Sequence, residues 1–270
     1  MLEYAQPNTH KEFHVGHLRN FVLGNALARI LTHAGWKVIT ASYHGDVGAH
    51  VAKCLWWMVA KFRADQKNAQ HADTPVNDLT ISEVDKILKS VSLNKRTGTY
   101  LGNLYAEATK NITRNIQIGS VNKDENIFQL VERRKESISY VQQRLESDDS
   151  AWTKLWKETR QWSLAEFKEI FDDLGTRIDR QYFESEVAED GQKIVDELLK
   201  KGIAKESQGA IIVDLENEKL GVFLIRKSDG TSLYATKDLA LAQLKAKEYP
   251  NLTRSLILVD NRQSLYCKQL

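Results

Sequence analysis

The 270 residues carry 38 Lys and Arg against 36 Asp and Glu, a net charge of +2, and 42% of them are hydrophobic. This composition excludes a disordered chain and predicts one large or two modest folded domains, and its small charge excess permits nucleic-acid contact without arguing for it. The two cysteines, Cys54 and Cys267, are too few for a disulfide framework or a structural zinc site. The longest apolar run is too short for a bilayer and the first residues lack a signal-peptide pattern, so we expect a cytoplasmic protein without a membrane partner.

The first elements predict a strand, a helix and a second strand. Leu2 to Ala5 has the character of a strand that ends before Pro7. Apolar residues then recur at helical spacing from Val15 to His33, and Gly35 stands at the position of a C-cap glycine. Trp36 to Tyr43 is short and rich in β-branched and aromatic residues, as a buried strand is. Such a unit opens a doubly wound parallel sheet, whose ligands lie at the carboxyl ends of the strands.

The middle of the chain is predicted to be helical. We expect a helix over Val47 to Arg63, a loop over Ala64 to Thr80, and a mostly helical insertion over Ser82 to Phe171. The insertion contains three tryptophans, which we interpret as packing residues rather than stacking platforms for nucleic acid. They are Trp152, Trp156 and Trp162.

The last hundred residues mix both kinds of element. The predicted elements are a helix at Ile194 to Leu199, strands at Ala210 to Leu215 and Val222 to Arg226, a helix at Leu239 to Lys247 and a strand at Ser255 to Asp260. The last of these, SLILVD, is a continuous apolar run typical of a buried parallel strand. A doubly wound sheet would need a further helix and strand after it, so we expect a fragment of a longer protein.

The sharpest chemical signal is HVGH, His14 to His17, between the first strand and the first helix, with Lys11 three residues before it. A helix start offers N–H groups and a partial positive charge, so imidazoles and an ammonium there suit a polyphosphate, and Gly16 would let a base or ribose approach the backbone. The same letters are also compatible with solvated histidines that match by chance, and with a metal site formed by His10, His14 and His17.

The opening EYAQPNTHKEFHVGHLRN resembles the signature region of class I aminoacyl-tRNA synthetases, and specifically of the arginyl-tRNA synthetases. The segments YHGDVGAHV, KSDGTSLYATKDLALA and LVDNRQSLYCKQL are similar to later parts of that family, so the match covers both ends of the chain. Three positions depart from the family pattern. They are Gln6 in place of a serine, Glu12 in place of a proline, and Val47 in place of a tryptophan.

The resemblance implies a Rossmann-like doubly wound parallel sheet, the α/β catalytic domain of class I synthetases, incomplete at its carboxyl end and carrying an α-rich insertion. It implies a first half of the nucleotide-binding domain at 1–80, a helical connective insertion at 81–175, a mixed part at 176–226, and the start of the second half at 227–270. The family's lysine-rich KMSKS loop and its anticodon-binding domain have no counterpart among these residues.

The resemblance also implies the site. ATP with Mg²⁺ would bind at Lys11, His14, Gly16 and His17, which would be the catalytic residues. Arginine would bind at Glu3, Gln6, Asn8, His17, Tyr234, Asp238 and Gln263. A planar guanidinium with five donors needs carboxylates opposite it, and Tyr234 and Asp238, four apart at a predicted helix start, share one face.

The implied activity is ligation of L-arginine to tRNA(Arg) through an arginyl-adenylate, by an enzyme that we expect to be a monomer. Without the resemblance, Asp238 would be interpreted as a helix-capping acid and Tyr234 as a core aromatic residue. Two alternative functions stay open. One is another HxGH nucleotidyltransferase, and the other is a non-catalytic fragment that binds arginine or ATP.

Overall fold

The structure, a computed structural model, describes residues 1–67, 74–122, 125–226 and 234–270; the side chains of residues 114–122 and of Tyr234 lie outside the description. Its elements in chain order are β1 (Leu2–Ala5), α1 (Val15–His33), β2 (Thr40–His44), α2 (Ala49–Lys67), α3 (Ile81–Ser90), α4 (Gly98–Asn122), α5 (Glu125–Glu146), α6 (Ser150–Asp173), β3 (Arg180–Phe183), α7 (Glu184–Lys200), β4 (Lys205–Ser207), β5 (Ala210–Leu215), β6 (Gly221–Arg226), α8 (Tyr234–Glu248), β7 (Leu256–Ile257) and α9 (Ser264–Gln269). Short 3-10 turns occupy Leu93–Lys95 and Asn261–Gln263.

The chain divides into two compact units. The first, here called the sheet unit, comprises Met1–Gln6, Gly16–His44 and Arg177–Leu270. The second, the helical unit, comprises Pro7–Val15 and Gly45–Thr176. The four-part functional division expected from the sequence, at 1–80, 81–175, 176–226 and 227–270, stays a prediction.

The sheet unit is built on a parallel sheet of four strands in the order β3-β2-β1-β7. The order runs away from β1 in both directions, which makes the boundary between β1 and β7 the switch point of a doubly wound sheet. Gly24 of α1 lets the helix lie on β1, because a Cβ atom there would come within 2.1 Å of the Tyr4 ring. The predicted parallel α/β fold is confirmed, and the carboxyl ends of β1 and β7 are the place where such sheets bind ligands.

A second, antiparallel sheet in the order β4-β5-β6 belongs to the same unit. Strands β5 and β6 were predicted, whereas the three-residue β4 was missed. Apolar side chains of β5, β6, α7 and α8 form its core, among them Val195, Ile211, Phe223, Ile225 and Ala235.

The helical unit packs α2 to α6 around a large core that includes Trp56, Trp152, Leu101 and Leu155. Trp152 and Trp162 are 1% and 8% exposed, so they cannot stack on nucleic acid, and their interpretation as packing residues is confirmed. Trp156 is partly buried and its indole Nε1 donates to the Asp46 carbonyl at 2.7 Å. Among the described residues, no helix is both long and apolar enough to cross a membrane.

Two boundaries in the first half differ from the prediction. The second strand was expected from Trp36 but begins at Thr40, because β1 is short and Leu2 lies opposite Thr40 in the register. Trp36 itself is 55% exposed. The predicted loop at 64–80 begins too early, since α2 continues to Lys67 and buries Ala64 completely. Residues 68–73 of that predicted loop lie outside the described residues.

Three predicted elements in the second half have other bounds or burial, and β3 and α9 were not predicted. The helix predicted at Ile194 extends from Glu184 to Lys200, and Gly191 within it lies where a Cβ atom would meet the Thr236 carbonyl at 2.9 Å. The next predicted helix begins earlier, at Tyr234, which places Tyr234 and Asp238 in its first two turns. The last strand covers only Leu256–Ile257 and is exposed, not buried, because it pairs with β1 alone in the described part of the chain and lies at the sheet edge.

Candidate active site

The segment between β1 and α1 is fixed to the helical unit by His10. Its backbone N–H donates to Ser163 Oγ at 3.1 Å, and its ring bonds Thr9 Oγ1 at 3.0 Å and Thr159 Oγ1 at 2.9 Å. His10 is fully buried, and burial lowers its pKa to about 3, so the ring is neutral at physiological pH. With both ring nitrogens engaged, His10 is an anchor of the segment, and no group of metal-ligating side chains occurs among the described residues.

Lys11 and Glu12 follow this anchor and pack against α4. A Cβ atom at Gly102 would lie 2.6 Å from the Glu12 backbone nitrogen, so the close approach of the segment to α4 requires glycine. Tyr105 lies one helical turn further along α4. The Nζ of Lys11 lies over its ring, 5.1 Å from the ring centroid. The predicted phosphate ligand Lys11 is therefore held on a fixed backbone with its ammonium over an aromatic face.

HVGH lies where the sequence predicted, at the start of α1. His14 and Gly16 are exposed and His17 is half-buried. The division into units falls between Val15 and Gly16, so Lys11 and His14 belong to the helical unit, and Gly16 and His17 to the sheet unit. Asn8, half-buried, also belongs to the helical unit.

Glu3, on β1, is 2% exposed, which makes it the most buried of the predicted arginine ligands whose side chains the structure describes. Its Oε1 accepts from Gln6 Nε2 at 2.8 Å, and its Oε2 accepts from Lys245 Nζ at 2.5 Å. The structure thus brings two predicted residues, Glu3 and Gln6, together, and adds Lys245, which sequence reasoning missed. The signal was present, because Lys245 lies seven positions after Asp238 on α8 and therefore on the same helix face.

Asp238, half-buried on α8, accepts a hydrogen bond from the hydroxyl of Tyr266 on α9. Burial raises the pKa of Asp238, the Tyr266 hydrogen bond opposes that rise, and the nearby Glu3 carboxylate adds to it. Burial also raises the pKa of Tyr266 far above its ordinary value, so its hydroxyl remains a neutral donor. Sequence reasoning missed Tyr266. Tyr234 is the first residue of α8, and its side chain lies outside the described residues.

Tyr43, near the end of β2, lies close to several acidic side chains of the sheet unit. Burial raises its pKa most, and the charges of Asp238, Glu184 and Glu3 raise it further. Its hydroxyl has no hydrogen-bond partner among the described residues. Three carboxylates therefore lie near one buried phenol, in a region that also holds the phenol of Tyr266.

Within the described part of the sheet unit, two acids of this group have ammonium partners, and the third does not. Lys245 pairs with Glu3, and Lys237 Nζ lies 2.7 Å from Glu184 Oε2. Asp238 has a hydroxyl partner instead of an ammonium. Asp238 is therefore a half-buried acid whose hydrogen bond comes from a hydroxyl, while the charges of Lys245 and Lys237 favour its ionised form by lowering its pKa. A half-buried negative charge of this kind is suited to a cationic ligand.

Gln263 lies in the 3-10 turn that follows β7, at the switch point of the sheet. Its backbone N–H donates to the Asp260 carbonyl at 2.9 Å, and its side chain is exposed. Asp260 caps the turn by accepting from the Arg262 backbone N–H at 2.9 Å. The capped turn fixes the backbone from which Gln263 projects.

Comparisons with known proteins agree on one family. All residues, 1–270, match the family model described as the catalytic domain of class I tRNA synthetases (R). An arginine–tRNA ligase of Bdellovibrio bacteriovorus is 38% identical over 270 residues, which are 100% of this chain and 40% of the relative. One of Halothermothrix orenii is 32% identical over 269 residues, again 100% of this chain and 40% of the relative.

Solved structures share the fold. The crystal structure of arginyl-tRNA synthetase from Plasmodium falciparum superposes with a TM-score of 0.66 at 19% identity, over 99% of this chain and 38% of that one. The arginyl-tRNA synthetase of Thermus thermophilus gives a TM-score of 0.56 at 23% identity, over 90% of this chain and 35% of that one. The chain spans about 40% of the length of the curated relatives named above, and it belongs to the arginyl-tRNA synthetase family of class I tRNA synthetases, within the family's catalytic domain.

Proposed function

We propose that this chain carries the arginine- and ATP-binding part of an arginine–tRNA ligase. The reaction joins L-arginine to ATP as arginyl-adenylate and then to tRNA(Arg). The observation that carries the proposal is the half-buried Asp238 carboxylate, which is hydrogen-bonded to a hydroxyl rather than to an ammonium, in a chain of this family. An amino acid whose side chain is always cationic is the ligand that such a charge selects.

In the first step, an oxygen of the arginine carboxylate attacks the α-phosphorus of ATP, and the bond from that phosphorus to the bridging oxygen of pyrophosphate breaks. The attacking carboxylate is already ionised, so no general base is needed, and the protein positions the groups and stabilises charge. We assign ATP, with Mg²⁺, to Lys11, His14, Gly16 and His17. The start of α1 adds the positive end of its dipole.

We assign the arginine guanidinium to Asp238 and Tyr234, with Glu3 supporting the negative potential. Lys245 and Gln6 both donate hydrogen bonds to Glu3. Glu3 therefore contributes negative electrostatic potential to the site rather than a direct contact with the guanidinium. The amino and carboxylate groups of arginine are assigned to the remaining predicted ligands. They are Asn8, Gln6, His17 and Gln263.

The test is calorimetric titration of the chain with L-arginine and with citrulline, which has the same length but a neutral urea in place of the guanidinium. We expect arginine to bind and citrulline to bind at least roughly 30-fold more weakly, since the interaction lost is that of a half-buried ion pair worth about 2 kcal/mol or more. Equal affinities would contradict the proposal. ATP with Mg²⁺, titrated in parallel, should bind independently of the choice between arginine and citrulline.

The same ligands, with an assay of adenylate formation, distinguish an enzyme from a fragment that only binds them. Binding of both ligands without adenylate formation even in the presence of tRNA(Arg) would identify a binding fragment, which the 40% coverage of the relatives makes the specific alternative. Because aminoacylation serves protein synthesis, the proposed function also implies a cytoplasmic location, and the monomeric state stays a prediction.

A further inference from the structure

The Tyr105 ring of α4 carries a second lysine. Lys53 of α2 places its Nζ 5.1 Å from the ring centroid, the same distance as Lys11 Nζ. The two ammonium groups therefore lie no more than twice that distance apart. Lys11, Lys53 and Tyr105 all belong to the helical unit, so this arrangement rests on contacts within one compact part of the chain.

Lys53 differs from a surface lysine in two ways. It is half-buried, and burial lowers its pKa, with no acid among the described residues raising it again. Lys61, two turns further along the same helix, shows the ordinary arrangement, because its Nζ lies 3.0 Å from Glu107 Oε2. An aromatic face attracts an ammonium group but cannot neutralise its charge. A partly desolvated ammonium beside a second one is stabilised when an anion joins them.

The frame that presents the two lysines is rigid. The Lys11 backbone follows His10, which is bonded to Ser163 and Thr159 of α6, and the next residue packs against Gly102 of α4. Lys53 projects from α2, where the residues on either side of it are completely buried. Both ammonium groups are thus preorganised, which lowers the entropy lost when an anion binds.

We propose that Lys53 and Lys11, supported by Tyr105, form a paired cation site for the phosphate tail of a nucleoside triphosphate. This inference rests on the proposed function, since it identifies the tail as that of ATP. A di- or triphosphate is long enough to contact both ammonium groups anywhere within that upper bound, and Lys11 is three residues before His14 in the same unit. Lys53 is a binding residue that the sequence motif does not contain, and pyrophosphate released in the reaction would leave from it.

The test is titration of the 270-residue chain with pyrophosphate, with ATP and Mg²⁺, and with adenosine, in wild type and three variants. Lys53→Met removes the charge and keeps the apolar stem, Lys53→Arg keeps the charge, and Lys61→Met removes a lysine that already has a partner. We expect Lys53→Met to weaken ATP and pyrophosphate by roughly tenfold or more, as loss of a charge-assisted contact does. Adenosine should be unaffected, Lys61→Met should match wild type, and Lys53→Arg should recover most of the affinity.

Equal ATP affinities in Lys53→Met and Lys61→Met would overturn the inference, and would leave the proposed function standing if arginine and ATP still bind wild type. Pyrophosphate binding that depends on Lys53, in a chain that does not bind arginine, would support the cation site and refute the proposed function. Titration with a single-stranded RNA oligonucleotide tests the other source of phosphate, the backbone of a nucleic acid. If Lys53→Met weakens only the RNA, the pair is a contact for nucleic acid and the ATP assignment is wrong. Circular dichroism establishes that each variant is folded.

Discussion

Replacement of Asp238 by asparagine tests the charge argument with the smallest change of shape. The new amide would retain one oxygen to accept the Tyr266 hydroxyl but would remove the negative charge of a carboxylate that hydrogen-bonds to a hydroxyl rather than to an ammonium. Two unit charges about 4 Å apart interact by about 4 kcal/mol at an effective dielectric of about 20, and desolvation offsets part of this. We expect arginine affinity to fall by about 2 to 4 kcal/mol, roughly 30-fold to 1,000-fold, while ATP affinity stays unchanged.

The same variant distinguishes a ligand-binding acid from a folding residue. Because the pKa of Asp238 is raised in the folded chain, its ionised form opposes folding at pH values above that pKa, and the penalty disappears as the pH falls through it. Asp238→Asn should therefore leave the free energy of unfolding in urea unchanged or increase it. A helix-capping acid would show a loss instead.

The assay is calorimetric titration of arginine and ATP between about pH 4 and about pH 8, which spans the ordinary carboxyl and histidine pKa values. In wild type, arginine affinity should weaken as the pH falls through the raised pKa of Asp238, and this dependence should be absent in Asp238→Asn. Asp190→Asn, on the exposed surface of α7, is the matched control. If arginine affinity survives in Asp238→Asn, or if ATP affinity falls to the same degree, the reasoning is refuted.

Three further predictions concern the anchors of the two units and the reaction. Lys245→Met should lower the free energy of unfolding by about 3 to 5 kcal/mol, because the buried Glu3 carboxylate loses its counter-ion, and the double variant with Glu3→Gln should recover much of this in urea titrations. The pKa of His10 is lowered from 6.5 to about 3, so between these pH values the unfolded chain binds a proton that the folded chain does not. The free energy of unfolding should therefore decrease as the pH falls from about 6.5 towards 3. Thermal unfolding of His10→Gln should show a weaker decrease, and an identical pH dependence would exclude His10 as its cause. The resemblance implies that activation needs bound tRNA, so the isolated chain should show little arginine-dependent exchange of pyrophosphate into ATP without tRNA; robust exchange would contradict this.

Local signals predicted much of the fold. Helix α1 has the predicted bounds, Val15 to His33, because its apolar spacing and the glycine after it are properties of contiguous sequence. The prediction that the last strand is buried was wrong. SLILVD has the composition of a central strand, but β7 lies at the sheet edge beyond β1, which leaves Leu256 and Ile257 exposed. Composition cannot distinguish a central from an edge strand, because that difference depends on neighbours distant in the chain.

The site was predicted in the same uneven way. Motif matching identified Asp238 and Glu3 but not the partners that set their charge. The Glu3–Lys245 ion pair joins residues 242 positions apart, and Tyr266 reaches Asp238 across 28 positions. Lys53 was missed because no motif contains it, and its meaning depends on its sharing the Tyr105 ring with Lys11.

The assignment of the guanidinium to Asp238 can be observed in a crystal structure of the chain grown with saturating L-arginine. We expect the guanidinium at Asp238, with at least one N–H donor nitrogen within about 3 Å of the carboxylate and with Tyr266 in the same site. Arginine bound elsewhere on the chain, while the Asp238 carboxylate contacts only Tyr266, would show that this acid does not select the substrate.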